Sequence, residues 1–269
     1  MLAPLDSPAL SPIPPGGFAC HLVSDLDGTW IPAPSRMEGL RRLEAFLAEN
    51  PGITLTFATG RGLDSALALL GAWVRRLPQH LITDVGCALH HRQPRGGWAE
   101  DRDYAAWVQD RWDPALPGRL EEAGLPAGVR AQPGLSSPRR LALELAGDAQ
   151  LPASAGQLRA TLERLGLRAE VLASADRCLD VLPPGVSKAT AVLHLEQNRE
   201  LPMPLVACGD SENDLSLWQL ADVPVLMADS ALSRDQPGLD WDRLIRPASP
   251  GPQGILEVLR RLKAAGQAP

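Results

Sequence analysis

The sequence predicts an α/β protein: a doubly wound parallel sheet with helices on both faces, into which an α+β domain is inserted. Three observations predict it. Short apolar runs alternate with amphipathic stretches of helical spacing near both ends of the chain, the pattern of a parallel sheet. That rhythm breaks in the middle, where short strand-like runs, Pro/Gly-rich connections and helical pieces take over. The length of 269 residues, 45% of them hydrophobic, suffices for a large core and a second domain.

The elements follow in order. MLAPLDSPALSPIPPGGFAC lacks a basic start and is broken by prolines, so residues 1–19 read as a flexible leader and not as a signal peptide. His21 to Ser24 reads as a buried strand ending at Asp25, and Arg36 to Glu49 as a helix with a spaced apolar face. ITLTFAT, Ile53 to Thr59, is a second strand stopped by Gly60, and Leu63 to Arg76 is a second helix with Asp64 near its start. HLITDVG, His80 to Gly86, is a third strand candidate.

The core domain is expected over 20–87 and 184–269, with the insertion over 88–183. Inside the insertion Tyr104 to Trp112 reads as helix, Leu141 to Leu145 as strand, Ala155 to Leu165 as helix, and Arg168 to Leu172 with Cys178 to Leu182 as a hairpin-like pair. The βα rhythm returns with Lys188 to Gln197 (helix), Pro204 to Cys208 (strand), Asp214 to Leu220 (helix) and Val223 to Met227 (strand). Ile255 to Leu262 closes the chain as an amphipathic helix.

Charge and cysteines exclude several functions. A formal net charge of -6 argues against a nucleic-acid partner, which needs clustered positive charge, while leaving room for a small anionic ligand in a local positive pocket. No apolar run approaches the about 20 residues that cross a bilayer. Cys20, Cys87, Cys178 and Cys208 are too scattered for a zinc knuckle or a disulfide framework, which fits a reducing cytoplasm. Composition is compatible with any oligomeric state.

In a doubly wound sheet, ligands sit beyond the carboxyl ends of the strands. The residues found there are Asp25 and Asp27 after the first strand, Thr59-Gly60-Arg61 after the second, Lys188 just before a helix, and Gly209-Asp210-Ser211-Glu212-Asn213-Asp214 after PLVAC. Carboxylates, a hydroxyl, a lysine and glycines that admit close backbone approach describe a hard-cation site beside an anion site, with Mg²⁺ and phosphate the obvious pair. Asp25 then serves as nucleophile on phosphorus, Asp27 as general acid and later base, Thr59 as donor to a phosphoryl oxygen, and Lys188 as balancing charge. Lys188 and Lys263 are the only lysines among 26 basic residues, as if position 188 needs a compact point charge that arginine cannot supply.

The set DLDGT, ATGR, SK and GDSEND, in that order, resembles the four signature motifs of the haloacid dehalogenase superfamily of phosphohydrolases. The insertion between the second and third motifs is similar to a C2-type cap, as in Cof-like sugar phosphatases. SDLDGTW, LITDVG, DVLPPGVSKATAV and CGDSENDLSLW resemble the sucrose-phosphate phosphatase subfamily, over about Cys20 to Leu262. The resemblance implies a Rossmann-like core and a Mg²⁺-dependent phosphatase acting on a phosphorylated sugar or polyol through an aspartyl phosphate. It also implies metal ligation by Asp25, Asp210 and the Asp27 backbone carbonyl, with Asp214 as an outer metal or lysine partner. Gly60, Arg61, Ser211 and Asn213 fall on loop-ordering or phosphate-side positions. Ala228-Asp229 stands where the subfamily usually carries Gly-Asn, and Cys87 where VGT is commoner, so the sugar stays open.

An EF-hand fails because Asp25 follows a strand and Arg36 occupies the twelfth loop position. His90 and His91, neighbours on a strand, point to opposite faces and read as structural. Trp98, Trp107 and Trp112 could stack on a sugar but fit packing better, and Arg139, Arg140 and Arg177 are candidates for phosphosugar contact from the insertion. A phosphomutase on the same core, or a catalytically silent phosphosugar-binding domain, are the competing readings; the second lacks support because Asp25, Asp27, Lys188 and Asp210 are all present.

Overall fold

The structure is a computed structural model that describes residues 18–31, 37–74, 78–133, 135, 137–174, 177–198, 203–234 and 236–266. The expected leader, up to residue 17, and the last residues of the second expected helix lie outside them. In chain order the first elements are β1 (Cys20–Ser24), α1 (Met37–Glu49), β2 (Ile53–Ala58), α2 (Leu63–Trp73), β3 (His80–Thr83), β4 (Ala88–Arg92) and β5 (Trp98–Glu100). Next come α3 (Arg102–Gln109), α4 (Leu116–Ala123), β6 (Val129–Ala131), β7 (Leu141–Leu145), α5 (Leu151–Arg164), β8 (Glu170–Ser174) and β9 (Cys178–Leu182). The chain closes with α6 (Lys188–Gln197), β10 (Leu205–Gly209), α7 (Leu215–Leu220), β11 (Val223–Leu226) and α8 (Gly251–Gly266).

The described residues form two compact units, one of 18–57, 203–210 and 217–266, the other of 58–198 and 211–216. In the first, strands run parallel in the order β11-β10-β1-β2. Every residue of β1 and β10 is buried, as expected of apolar strands covered on both faces. α1 packs on α8, burying Leu40, Leu43 and Leu47 from one and Ile255, Leu256 and Leu259 from the other. Trp30 meets Phe57 edge-on with ring centroids 4.7 Å apart. The chain leaves β1 towards β2 on one side and β10 towards β11 on the other, so a topological switch point falls between β1 and β10.

The second unit holds the antiparallel run β3-β4-β5 and a separate four-stranded antiparallel sheet in the order β6-β7-β9-β8. Leu143, Leu145, Leu179 and Val181 of that sheet pack with Leu158 and Leu162 of α5 around one apolar cluster. The α/β expectation holds, and the hairpin-like pair is antiparallel β8-β9.

Several boundaries differ from those expected. α3 begins at Arg102, ahead of the expected Tyr104, because Asp101 caps it by accepting from the Tyr104 amide at 2.9 Å. α5 begins at Leu151 because Pro152 sits in its first turn, where no donor is lost. α8 extends from Gly251 to Gly266, beyond the expected Ile255 to Leu262. No described helix is long and apolar enough to cross a membrane.

Candidate active site

In the first unit the acids stand at the switch point. Asp25 directly follows β1, its amide donating to the Cys208 carbonyl of β10 at 2.9 Å, and Asp210 directly follows β10. Asp25 is 4% exposed, and each of the two offers a carboxylate oxygen within 4.8 Å of the other's. Thr29 Oγ1 donates to Asp210 Oδ1 at 3.3 Å, and Ser230 Oγ to the Asp210 carbonyl at 2.5 Å, so the second acid is fixed at both ends.

Asp27 lies exposed on the turn that Trp30 and Ile31 close by donating to the Leu26 carbonyl at 3.0 and 2.9 Å. Gly28 has φ +74, and a Cβ there would lie 2.2 Å from Asp210 Oδ2. The glycine of DLDGT thus makes the turn and leaves room for the second carboxylate.

The second unit holds the remaining groups. Ser187 caps α6, accepting from the Thr190 amide at 3.2 Å while its own amide donates to Thr190 Oγ1 at 2.9 Å. That cap fixes Lys188 as the first helical residue. Its ammonium, fully buried, donates to Asn213 Oδ1 and Asp214 Oδ1, both at 2.7 Å. Ser211 donates its amide to Asp214 Oδ2 at 3.3 Å, which ties the loop ahead of α7 to the same carboxylate.

Thr59 is 1% exposed, and its Oγ1 accepts from the Arg61 amide at 3.1 Å. Gly60 and Arg61 are half-buried, and Arg61 Nη1 donates to Ser65 Oγ at 2.9 Å. Gly86, with φ +101, abuts the Ser187 carbonyl so closely that a Cβ would lie 2.2 Å from its carbon and oxygen. Tyr104 OH donates to the Gly86 carbonyl at 2.7 Å, a support that no motif signals.

Among the other candidates, His90 Nε2 faces Thr83 Oγ1 at 3.3 Å and His91 Nε2 faces Asp101 Oδ2 at 2.8 Å, both within the protein fabric. Trp112 is buried in the apolar cluster, Trp107 is stacked on Tyr104 and covered by Arg111, and Trp98 is half-buried. Arg139 pairs with Glu100, and Arg177 Nη2 donates to the Leu145 carbonyl at 2.6 Å.

The donor set in the first unit is all oxygen: two close carboxylates and the turn carrying Asp27. It suits a hard divalent cation that keeps part of its water, and such a cation makes the acidic pair tolerable. The second unit supplies a buried ammonium and a buried hydroxyl, the complement for a phosphoryl group.

The sequence model of the sucrose-6F-phosphate phosphohydrolase family matches residues 18–263. The chain belongs to that family. This bears out the resemblance to haloacid-dehalogenase-like sucrose-phosphate phosphatases drawn from DLDGT, ATGR, SK and GDSEND. Within the sucrose-6F-phosphate phosphohydrolase family it is 28% identical to sucrose-phosphatase 1 of Nicotiana tabacum over 222 residues, 78% of this chain and 50% of that one. It therefore spans only half the length of the tobacco protein. It is 27% identical to the mannosylfructose-phosphate phosphatase of Agrobacterium fabrum over 247 residues, 89% of this chain and 95% of that one. It also resembles the X-ray structure of the Synechocystis sucrose-phosphatase in complex with sucrose and phosphate, with TM-score 0.76 and 26% identity, covering 90% of this chain and 97% of the other.

Proposed function

We propose that the chain is a Mg²⁺-dependent phosphatase that hydrolyses the phosphate monoester of a sugar, with a disaccharide phosphate the favoured class. The observation that carries this is the close pairing of Asp25 and Asp210 at the ends of adjacent parallel strands, since two carboxylates held this near call for a cation. The names of the tobacco, Agrobacterium and Synechocystis proteins support the sugar class.

Asp25, Asp27 and Asp210 act with Thr59, Lys188 and Asn213 on one phosphate. Chain continuity supports their joint action: Asp210 is bonded to Ser211, and Thr59 is one residue from the end of β2. Asp25, Asp210 and the Asp27 carbonyl would hold a magnesium ion, which would supply positive charge to the phosphoryl group.

An Asp25 carboxylate oxygen attacks phosphorus, the bond from phosphorus to the sugar oxygen breaks, and Asp27 gives that oxygen its proton. Asp27, now a carboxylate, takes a proton from water as the water attacks phosphorus. The bond to Asp25 breaks, inorganic phosphate leaves, and both acids return to their starting states. An exposed turn suits Asp27, which must exchange a proton with two successive partners.

Thr59 donates its hydroxyl proton to a phosphoryl oxygen, and Lys188, oriented by Asp214, balances the charge that grows on the phosphoryl group. Ser211 and Asn213 order the loop, and Gly60 and Arg61 present main chain to the phosphate side. Residues 88–183 serve as the cap that excludes bulk water and reads the sugar.

None of the four cysteines is in a disulfide, and burial pushes the Cys20 thiol up to about 12 and the Cys87 thiol higher still, so these two stay protonated as core residues. That usage supports a cytoplasmic protein. The test is phosphate release from an aryl phosphate with and without Mg²⁺, followed by a panel of sugar phosphates. Magnesium-dependent release from both supports the reading. An isomerised sugar phosphate without free phosphate would replace it with a mutase, and no turnover of any ester would overturn it.

A further inference from the structure

Arg140 is a buried charge that the mechanism above leaves unused. Its side chain, 2% exposed, stands just ahead of β7, with Nε 2.9 Å from Asp180 Oδ1 on β9 and Nη1 3.6 Å from Asp84 Oδ1. The Nε contact is an ion pair without hydrogen-bond alignment. The aligned bond goes elsewhere: Nη1 donates to the Gly60 carbonyl at 2.6 Å.

Three consecutive carbonyls of the Thr59-Gly60-Arg61 loop are thereby taken. Val85 donates its amide to the Thr59 carbonyl at 3.1 Å and Asp84 to the Arg61 carbonyl at 2.9 Å. These two donors sit in left-handed backbone, φ 57 and 53, which is costly for a β-branched valine and marks a turn held in place by its surroundings. The middle carbonyl belongs to a glycine, whose peptide is the one most free to rotate.

We propose that Arg140 is a positioning residue for Thr59, acting through the Gly60–Arg61 peptide. The peptide is planar and trans, so fixing the Gly60 carbonyl towards Arg140 turns the Arg61 N–H the opposite way. That N–H donates to Thr59 Oγ1 at 3.1 Å. A hydroxyl that accepts from a main-chain amide keeps its own proton to give, and the receiving group is the phosphoryl oxygen. The guanidinium is suited to this because it can hold a carboxylate with one nitrogen and a carbonyl with another, which a lysine cannot do in the same geometry.

Burial pushes both Asp84 and Asp180 above the usual carboxylate range, and the Arg140 charge opposes that push at each. The inference rests on the phosphatase reading, in which the Thr59 hydroxyl donates a hydrogen bond to the phosphate.

The test uses the full chain in four variants: Arg140→Met, Arg140→Lys, Thr59→Val, and the double Arg140→Met/Thr59→Val. Arg140→Met/Asp180→Asn serves as a folding control that leaves fewer unpaired buried charges. Readouts are kcat and KM on an aryl phosphate and on a disaccharide phosphate, affinity for inorganic phosphate with magnesium by calorimetry, and Tm.

Arg140→Met should lower kcat on both substrates about 100-fold and weaken inorganic phosphate, the loss expected when a contributing group is misplaced by about 1 Å. The double with Thr59→Val should be no worse than Thr59→Val alone, and Arg140→Lys should recover stability more than kcat. Additive losses in the double, a change confined to KM for the disaccharide phosphate, or a lower Tm with unchanged kinetics would each overturn the inference. A wild-type chain that neither binds phosphate nor releases it from any ester would overturn the phosphatase reading instead.

Discussion

The buried pair Lys188–Asp214 permits a prediction that separates stability from catalysis. Both side chains are fully buried, and the ammonium has two acceptors at 2.7 Å, Asp214 Oδ1 and Asn213 Oδ1. Lys188→Met keeps the stem and removes the charge, leaving the Asp214 carboxylate with the Ser211 amide at 3.3 Å as a remaining donor. Breaking a buried pair from one side costs about 3–5 kcal/mol, because an uncompensated charge stays inside. At roughly 2–4 °C per kcal/mol for a chain of this size, the melting temperature should fall on the order of 6–20 °C.

Lys188→Met/Asp214→Asn removes the stranded charge as well and should recover all but about 1–2 kcal/mol. Turnover should not recover with it. Both variants lack the cation proposed to balance the phosphoryl charge, and kcat should stay down by about 100- to 1000-fold in each. Urea titration monitored by circular dichroism, beside phosphate release on the same preparations, reads both quantities. A single variant that loses less than about 1 kcal/mol, or a double no more stable than the single, would refute the stranded-charge reasoning. Recovery of turnover in the double would refute the role given to Lys188.

Two glycines predict opposite outcomes. Gly28→Ala should cost about 1 kcal/mol for its positive φ, yet raise the magnesium needed for activity, because the new Cβ displaces the Asp210 carboxylate, a movable side-chain end. Gly86→Ala meets main-chain atoms of Ser187 and the Lys188 amide at 2.7 Å, so expression and folding should fail before any kinetic change can be measured. Burial depresses the His90 pKa below its ordinary 6.5, so the unfolded chain binds the proton more readily than the folded one. The stability this contributes is present above pH 6.5 and is lost as pH falls below it towards the folded-state value; His90→Gln should flatten that part of a melting-temperature profile.

The parts of the site that were legible in the sequence are those where local chemistry and chain position coincide. Apolar runs stop abruptly at Asp25, Thr59 and Asp210, so the strand ends and their polar loops could be read together. α6 runs from Lys188 to Gln197, as expected, because Ser187 and Thr190 form a reciprocal cap at its start. α4 was not foreseen: Pro117 and Gly118 interrupt its apolar spacing, and it is held by Leu116 and Leu120 in the cluster of the second unit.

Arg140 looks no different from Arg139 beside it, yet one is buried on two acids and the loop carbonyl while the other pairs with Glu100 nearer the surface. Only tertiary structure separates them. The left-handed pair at Asp84 and Val85 is likewise invisible, since valine is among the last residues local propensity would place there.

The account turns on Asp25 becoming phosphorylated during turnover. The direct measurement is to quench the enzyme with acid during turnover of a sugar phosphate, reduce it with borohydride, and map the peptides by mass spectrometry. An aspartyl phosphate at position 25 is converted to homoserine, and that residue is the predicted result, absent without substrate. An active enzyme that yields homoserine at another aspartate, or that turns over equally well as Asp25→Asn, would contradict it.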